Sequence, residues 1–264
     1  MKRRIHLAVA ALGVVVLCVL GACVSQHVSN PDALWQIVSE QCVPQALEGS
    51  AHNTCAFVDP VEGYALLKDR DGIGQYLLIP TERISGIESP ELAQPSLPNY
   101  WREAWAGRSY LEKTIRTTLP REDIGLAINS ASGRSQNQLH IHIDCMKPAI
   151  AAALAAQRGS IGEQWQPLAT PLEGHPYRAR LITDATLAST DPFKLLLADV
   201  QSRGTSMADQ TLLLTGTTLA DGRPAFILLN DHVDGFDRAS AEELLDHDCS
   251  VRGGIGTQAA PASH

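Results

Sequence analysis

The chain has 264 residues, of which 44% are hydrophobic and 19% are charged, as is typical of a globular protein rather than a disordered or fibrous one. Its formal net charge of -8 argues against a nucleic-acid-binding protein, because duplex binding relies on Lys and Arg to neutralise phosphates. We therefore expect a domain of moderate size whose partner is not a nucleic acid.

The first 30 residues have the pattern of an export signal or membrane anchor. Three basic residues at positions 2–4 precede an apolar run over residues 5–22, which is long enough to cross a bilayer as one helix. Residues 20–23 also resemble a bacterial lipoprotein cleavage box, and in that alternative Cys23 becomes the lipidated first residue of the mature chain. Both alternatives predict that the remainder is tethered to a membrane outside the cytoplasm.

Export changes the interpretation of the cysteines, since oxidising compartments permit structural disulfides. Beyond the predicted anchor lie four cysteines, Cys42, Cys55, Cys145 and Cys249. They could pair in three ways or remain as buried thiols. We favour a bond between Cys42 and Cys55, which are near neighbours across a polar loop, and a second bond between Cys145 and Cys249.

Hydrophobic periodicity and turn residues predict helices and hairpins along the rest of the chain. In chain order, the predicted elements are a helix over residues 33–40, strands over 64–67 and 76–79, a helix over 98–116, strands over 124–129 and 139–145, a helix over 149–156, a strand over 177–182, a helix over 192–200, strands over 211–215 and 225–229, and a helix over 239–246. This mixture predicts an α+β fold with a largely antiparallel sheet and flanking helices. We place the domain in residues 31–250 and expect a disordered tail over residues 251–264.

The predicted strand over residues 139–145 carries the most informative pattern. Alternate side chains of a strand share a face, so the apolar residues of this segment face the core and its polar residues form a second row. The polar row is Gln138, His140, His142 and Asp144. Histidine suits a reactive site because its unperturbed pKa near ~6.5 leaves a neutral, nucleophilic nitrogen around neutral pH.

Residues 138–144 resemble the histidine-triad motif, in which three histidines alternate with apolar residues on one strand. Upstream, residues 129–137 are similar to the phosphate-binding segment of that superfamily, and residues 67–69 and 76–80 resemble its nucleotide-binding hairpin. Within the superfamily the chain resembles the CDP-diacylglycerol pyrophosphatase family, whose members combine an N-terminal membrane segment, this polar loop and a Cys shortly after the histidines.

This resemblance implies an enzyme that hydrolyses the pyrophosphate of CDP-diacylglycerol to CMP and phosphatidate, with a histidine nucleophile and neither metal nor cofactor. Its partner would be this nucleotide-linked phospholipid, met at the periplasmic face of a bacterial inner membrane. His140 aligns with the nucleophile, and His142 would orient the site and bind a phosphoryl oxygen. The residues expected to bind substrate are Lys68, Asp69, Asn129, Ser130, Arg134, Ser135 and Gln136.

The sequence departs from the triad pattern at its first position, where Gln138 replaces histidine. Glutamine forms hydrogen bonds but cannot relay a proton, so leaving-group protonation would pass to His142, Asp144 or water. The departure also permits a shifted register, in which His140, His142 and Asp144 are the three positions and His142 is the nucleophile. We favour the first register because the upstream loop sets its spacing.

Two other functions are compatible with the same residues. His140, His142 and Asp144 have ligand chemistry suited to a zinc-dependent phosphohydrolase. A lipoprotein that binds a nucleotide or phospholipid without turning it over is the second. The remaining histidines are assigned no role: His175 is interpreted as a surface residue, and residues 246–248 as a solvated helix end.

Overall fold

The computed structural model describes residues 30–250 of the chain. The predicted membrane segment and the predicted tail both lie outside the described residues. Within residues 30–250, no helix combines the length and the apolar character needed to cross a membrane.

The elements follow the predicted order closely. The helices are α1 (Ala33–Ile37), α2 (Val43–Leu47), α3 (Tyr100–Ile115), α4 (Pro148–Gln157) and α5 (Pro192–Arg203), and a π-helical turn (Val38–Cys42) joins α1 to α2. The strands are β1 (Phe57–Asp59), β2 (Tyr64–Lys68), β3 (Tyr76–Pro80), β4 (Ile124–Ile128), β5 (Ile141–Met146), β6 (Gln166–Pro167), β7 (Arg178–Ile182), β8 (Gln210–Thr218), β9 (Pro224–His232) and β10 (Leu245–Asp246). Turns of 3₁₀ helix lie at Pro90–Ala93, Arg121–Asp123, Arg158–Ser160, Met207–Asp209 and Ala241–Leu244.

The two longer helices that pack on the sheet begin at side-chain caps. The Asn99 side chain accepts hydrogen bonds from the first backbone N–H groups of α3, and the Asp191 side chain accepts one at the start of α5. Helix α5 is capped at its C-terminus by Gly204, whose φ of 65° lies in the left-handed region. Glycine adopts this conformation at little cost in free energy because it has no Cβ.

The predicted helix over residues 239–246 is wrong. Only a 3₁₀ turn forms there, over Ala241–Leu244, and it leads into β10. Leu245 pairs with Met146 and Asp246 with Cys145 of β5. Hydrogen bonds to β5 thus replace the helical hydrogen bonds that local periodicity predicted.

All the described strands belong to one sheet, in the order β1-β2-β3-β5-β4-β8-β9-β7-β6, with β10 pairing separately with β5. Every pairing is antiparallel, which confirms the predicted α+β class with an antiparallel sheet. β5 lies between β3 and β4, so it is an interior strand.

The sheet contains the same unit twice. The order β3-α3-β4-β5 recurs as β7-α5-β8-β9, and the sheet order β3-β5-β4-β8-β9-β7 relates the two units by an approximate twofold axis between β4 and β8. Both helices belong to the same core, since Trp101 of α3 contacts Phe193 of α5 with ring centroids 5.2 Å apart. No repeat was evident in the sequence, so the duplication is visible only in the topology.

Helix α3 packs closely on the apolar face of β5. A Cβ at Gly107 would lie 3.1 Å from the Leu66 side chain and 3.2 Å from that of Ile143, so the glycine permits this approach. Ile141 and Ile143, which form this apolar face of β5, are fully buried. By alternation, His142, Asp144 and Met146 must therefore point to the other face of the sheet.

That other face is covered at two separate places. His142 has Leu77 and Ala127 as its cross-strand neighbours. Leu77 belongs to a buried cluster with Val38 of the π-helical turn, and Ala127 belongs to a different cluster that includes Leu154 of α4. The polar row of β5 lies between these two clusters.

The favoured disulfide pairing is confirmed. Cys42 is bonded to Cys55, and Cys145 to Cys249. The second bond links residues 104 apart in sequence and attaches the C-terminal segment to β5 beside the polar row. It thereby places residues near Cys249 next to the two histidines.

Candidate active site

His140 lies just before β5, and its imidazole is oriented by the backbone. Its Nδ1 is 2.7 Å from the carbonyl oxygen of Gln138, and since a carbonyl can only accept, Nδ1 carries the proton. The lone pair of the neutral ring is therefore on Nε2. The residue is 7% exposed, and this burial lowers the pKa of His140 below its usual value. A neutral imidazole of this kind is a nitrogen nucleophile near neutral pH.

His142 lies on the same face, with its ring centroid 4.9 Å from that of His140. Gln75 Nε2 donates to His142 Nδ1 over 2.7 Å, which leaves the proton of the neutral ring on Nε2. Within residues 30–250 this buried N–H has no hydrogen-bond partner. Burial lowers the pKa of His142 well below its usual value, and the neighbouring His140 and His247 lower it further. An unpaired N–H beside a nucleophile can donate to an anionic oxygen.

Asp144 is the third member of the row and is fully buried. Its Oδ2 accepts a hydrogen bond from His247 Nδ1 over 2.8 Å, and its Oδ1 accepts one from the backbone N–H of Cys145. The hydrogen bond to Asp144 raises the pKa of His247, with burial opposing the shift. Burial raises the pKa of Asp144, and His247 opposes that change. The hydrogen bond to Asp144 thus favours the protonated form of the imidazole at the edge of the row.

The Glu242 carboxylate lies close to the imidazoles of His142 and His247. Its Oε1 lies 3.3 Å from His142 Nδ1 and 3.8 Å from His247 Nε2. Asn129 fixes this carboxylate, because its Nδ2 donates to Glu242 Oε2 over 2.9 Å and its Oδ1 accepts from the Glu242 backbone N–H over 3.2 Å. Asn129, predicted to bind substrate, therefore also positions a carboxylate in the site.

The predicted phosphate-binding loop is tied into the protein at several points. The Ser130 hydroxyl donates to the carbonyl of Arg238, and the Ser130 N–H donates to that of Ala239. Arg134 forms two hydrogen bonds with the Glu88 carboxylate, at 2.6 and 2.8 Å. In the same loop, the Gln136 side chain accepts from the N–H of Leu34 in α1, and Ser135 is exposed.

The β2–β3 hairpin brings Lys68 and Asp69 to the row from the other side. Lys68 Nζ donates to the carbonyl oxygens of Asp69 and Gly72 at 2.6 and 3.1 Å, which orders the turn. The charge of Asp69 acts to raise the pKa of both His140 and His247, so its carboxylate is electrostatically close to both. The turn also contacts the C-terminal segment, since the N–H of Ile73 donates to the carbonyl of His247.

Gln138, predicted as a catalytic residue, uses its amide to hold the backbone. Its Nε2 donates to the carbonyl oxygens of Pro80 and Glu82 at 3.1 and 2.8 Å, and the residue is fully buried. Its own carbonyl accepts from His140, as described above. Gln138 thus orients His140 through the backbone while its side chain secures the end of β3.

Three residues of the site were missed by sequence reasoning: Gln75, Glu242 and His247. The first two occur in ordinary polar segments and carry no local signal. The interpretation of residues 246–248 as a solvated helix end is wrong, because His247 is bonded to the buried Asp144. A signal was available, since Cys249 was predicted to pair with Cys145 and so to bring its neighbours to β5.

Within residues 30–250, the zinc-ligand set considered from the sequence is not brought together as one group. The described residues contain two groups whose ligand atoms lie within 4.8 Å of one another, and neither combines His140, His142 and Asp144. One of these groups is Asp144 with Cys145 and Cys249, whose sulfurs form a disulfide and so offer no thiolate. Both oxygens of Asp144 already accept hydrogen bonds, one from His247 and one from the backbone N–H of Cys145.

An antiparallel α+β sheet that presents two buried imidazoles of lowered pKa beside a third histidine of raised pKa defines a candidate hydrolase of phosphoric anhydrides. The family model described as CDP-diacylglycerol pyrophosphatase matches residues 29–253 of the chain. A CDP-diacylglycerol pyrophosphatase of Yersinia pestis is 42% identical over 240 residues, covering 90% of this chain and 92% of the relative. The chain therefore belongs to the CDP-diacylglycerol pyrophosphatase family, which confirms the resemblance found in the sequence.

We expect the pKa of His247 to lie above 6.5 and to fall in Asp144→Asn, because the neutral amide no longer stabilises the imidazolium. Since the folded-state pKa is raised, the stabilisation from protonated His247 is complete below the unfolded value and is lost as the pH rises through the folded one. NMR titration of the imidazole protons measures the shift in the wild type and in the variant. An unchanged midpoint in Asp144→Asn would contradict the assignment.

Proposed function

We propose that this protein hydrolyses the diphosphate of CDP-diacylglycerol to CMP and phosphatidate, with Nε2 of His140 as the nucleophile. The observation that carries the mechanism is the hydrogen bond from His140 Nδ1 to the Gln138 carbonyl. It directs the lone pair to Nε2, while burial keeps the ring neutral. Family membership supports the substrate.

In the first step, Nε2 of His140 attacks the phosphorus bonded to the cytidine ribose. An N–P bond forms as the bond from this phosphorus to the bridging oxygen breaks, and phosphatidate leaves with that electron pair. In the second step, water attacks the same phosphorus and gives a proton back to the group that protonated phosphatidate, the N–P bond breaks, and CMP and the neutral imidazole are released. The Nε2 proton of His142 is suited to stabilise the charge on the phosphoryl oxygens.

His247 is the proposed proton donor to the departing phosphatidate. Its Nδ1 is held by Asp144, so its Nε2 is the nitrogen that exchanges protons with substrate and water. The hydrogen bond to Asp144 raises the pKa of His247, whereas burial lowers the pKa of His140 and of His142, so His247 is the imidazole best suited to carry the proton. This role replaces the relay that Gln138 cannot perform.

The geometry favours His140 over His142 as the nucleophile. In His142 the nitrogen with the lone pair is Nδ1, and Gln75 occupies it. Using this nitrogen would require the hydrogen bond to break inside a buried site, which costs free energy. The lone pair of His140 is on the opposite nitrogen from its backbone contact and needs no such rearrangement.

We expect His140→Ala to reduce turnover of CDP-diacylglycerol by at least about 10³-fold, because no other residue replaces an attacking nitrogen. With substrate labelled at the cytidylyl phosphorus, brief incubation followed by alkaline denaturation should leave acid-labile label on the wild-type protein and none on His140→Ala. His52→Ala, a substitution of an exposed histidine, is the control that retains both activity and label.

Other outcomes of the same experiment identify the rival functions. Label lost from His142→Ala but retained by His140→Ala would establish the shifted register. Turnover abolished by a chelator, with no protein adduct, would favour the zinc-dependent phosphohydrolase. Substrate binding without turnover by the wild-type protein would favour the non-catalytic lipoprotein.

We expect His247→Gln to slow cleavage of CDP-diacylglycerol by about 10²–10⁴-fold, as is usual when a general acid is removed. The loss should be much smaller with the 2,4-dinitrophenyl ester of CMP, whose leaving group is far less basic than phosphatidate and departs without a proton. Equal losses with both substrates would show that His247 only maintains the structure. Circular dichroism of the variant excludes unfolding as the cause.

We further propose that the domain is held at the periplasmic face of the inner membrane by its N-terminal segment. The basic residues at positions 2–4 and the apolar run over residues 5–22 support this, as do the two disulfides. Tethering brings the site to a substrate that stays in the bilayer. Protease added to spheroplasts should degrade the domain; full protection, with degradation only after lysis, would contradict this placement.

A further inference from the structure

A second cluster of ionisable side chains lies at the end of β9, outside the active site. His175 Nδ1 is 2.6 Å from Asp237 Oδ2 and 4.0 Å from Asp231 Oδ2. One ligand atom from each of the three residues lies within 4.8 Å of the others. His175, interpreted from the sequence as an ordinary surface residue, is therefore part of a group with the chemistry of a metal site.

Asp231 supplies independent evidence that this cluster takes a ligand. The residue is 3% exposed, and its Oδ2 has no hydrogen-bond partner within residues 30–250. Its Oδ1 lies on the side of His232, 3.8 Å from that imidazole's Nδ1. An unpaired buried carboxylate oxygen is costly, and this one is directed at His175 and Asp237. A bound cation would supply the interaction that Oδ2 does not have within the protein.

The imidazole is also oriented as it is in metal sites. His175 Nε2 lies 3.5 Å from Glu243 Oε2, and the other oxygen of Glu243 accepts a hydrogen bond of 2.9 Å from the hydroxyl of the buried Tyr177. Histidine ligands usually donate their second N–H to a carboxylate, which fixes the ring and raises its basicity. Glu243 is placed for that role, with Tyr177 holding it.

Charge favours a divalent cation. The cluster has three carboxylates, from Asp231, Asp237 and Glu243, around the imidazole of His175. Burial lowers the pKa of His175, but Glu243 and Asp237 outweigh it and raise the value. Burial raises the pKa of Asp231 and of Glu243, as expected of carboxyl groups whose charge is not fully offset within the protein. Another ionisable side chain near this cluster, that of His232, is about half exposed to solvent.

We propose that His175 Nδ1, Asp231 Oδ2 and Asp237 Oδ2 bind a divalent transition-metal ion, with Zn²⁺ the best match to one imidazole and two carboxylates. Ca²⁺ and Mg²⁺ prefer oxygen ligands alone, whereas imidazole suits Zn²⁺. The ion takes the place of the proton between His175 and Asp237, which is released to solvent. The His175 Nε2–H then donates to Glu243.

The ion would act on structure rather than on the reaction. The backbone after Asp237 supports the active site, because the carbonyls of Arg238 and Ala239 accept hydrogen bonds from Ser130. The same segment continues to Glu242, the carboxylate beside His142. An ion attached to Asp237 at one end and, through His175, to Glu243 at the other would hold this segment in place.

The test uses untagged full-length protein, stripped with a chelator, desalted and titrated with Zn²⁺ while bound zinc and thermal unfolding are followed. We expect one Zn²⁺ per chain and a rise in Tm of roughly 5 °C at saturation. Asp237→Asn and His175→Gln should each weaken Zn²⁺ binding by at least about tenfold. Asp234→Asn, on the same loop but exposed, is the matched control and should bind as the wild type does.

Several results would overturn the proposal. One is a wild-type protein that retains no stoichiometric Zn²⁺ and shows no change in Tm, which would mean that protonated His175 alone satisfies the carboxylates. A second is zinc binding that is lost in His140→Ala instead, which would assign the ion to the catalytic row. A third is Ca²⁺ binding as tight as that of Zn²⁺ and unaffected by His175→Gln. These readouts do not depend on turnover, so failure of the proposed hydrolase activity leaves them interpretable.

Discussion

The central constraint in this protein is a strand buried on both faces that carries polar side chains on one of them. β5 is an interior strand, and His140, His142 and Asp144 expose 7%, 5% and 0% of their surface. Buried polar groups must be hydrogen-bonded or their desolvation is not offset. The partners come from distant parts of the chain: Gln75 for His142 and His247 for Asp144. Satisfying the row therefore brings together the hairpin, the loop before β5 and the C-terminal segment.

The duplicated unit assigns different roles to the two halves of the sheet. In β9, which matches β5 by topology, the face that carries the histidines in β5 holds Ile227 and Leu229 in an apolar core. The second half thus extends the sheet and supports the segment over residues 232–243, while only the first half has the reactive row. Asp231 lies at the end of this apolar face and is a buried ionisable residue.

The electrostatics of the site explain how a chain with a net charge of -8 can act on an anionic diphosphate. The proposed donors are local: the Nε2 proton of His142, and His247, whose pKa is raised by the hydrogen bond to Asp144. Arg134, the guanidinium of the predicted phosphate-binding loop, is instead paired with Glu88 at two atoms. Burial lowers the pKa of His140 and His142 while Asp144 raises that of His247, so the proposed nucleophile and the proposed proton donor are separate histidines.

The sequence by itself determined the α+β class, the central strand with its two-residue alternation and, through the cysteines, which segments meet. These follow from periodicity and covalent chemistry, which are local properties. Only the tertiary structure decided that residues 239–246 form a turn and a strand rather than a helix, because pairing with β5 outweighs local propensity. It also decided the partners of the row, Gln75, Glu242 and His247, and the cluster around His175. Such contacts join residues up to about a hundred positions apart, and no local pattern encodes them.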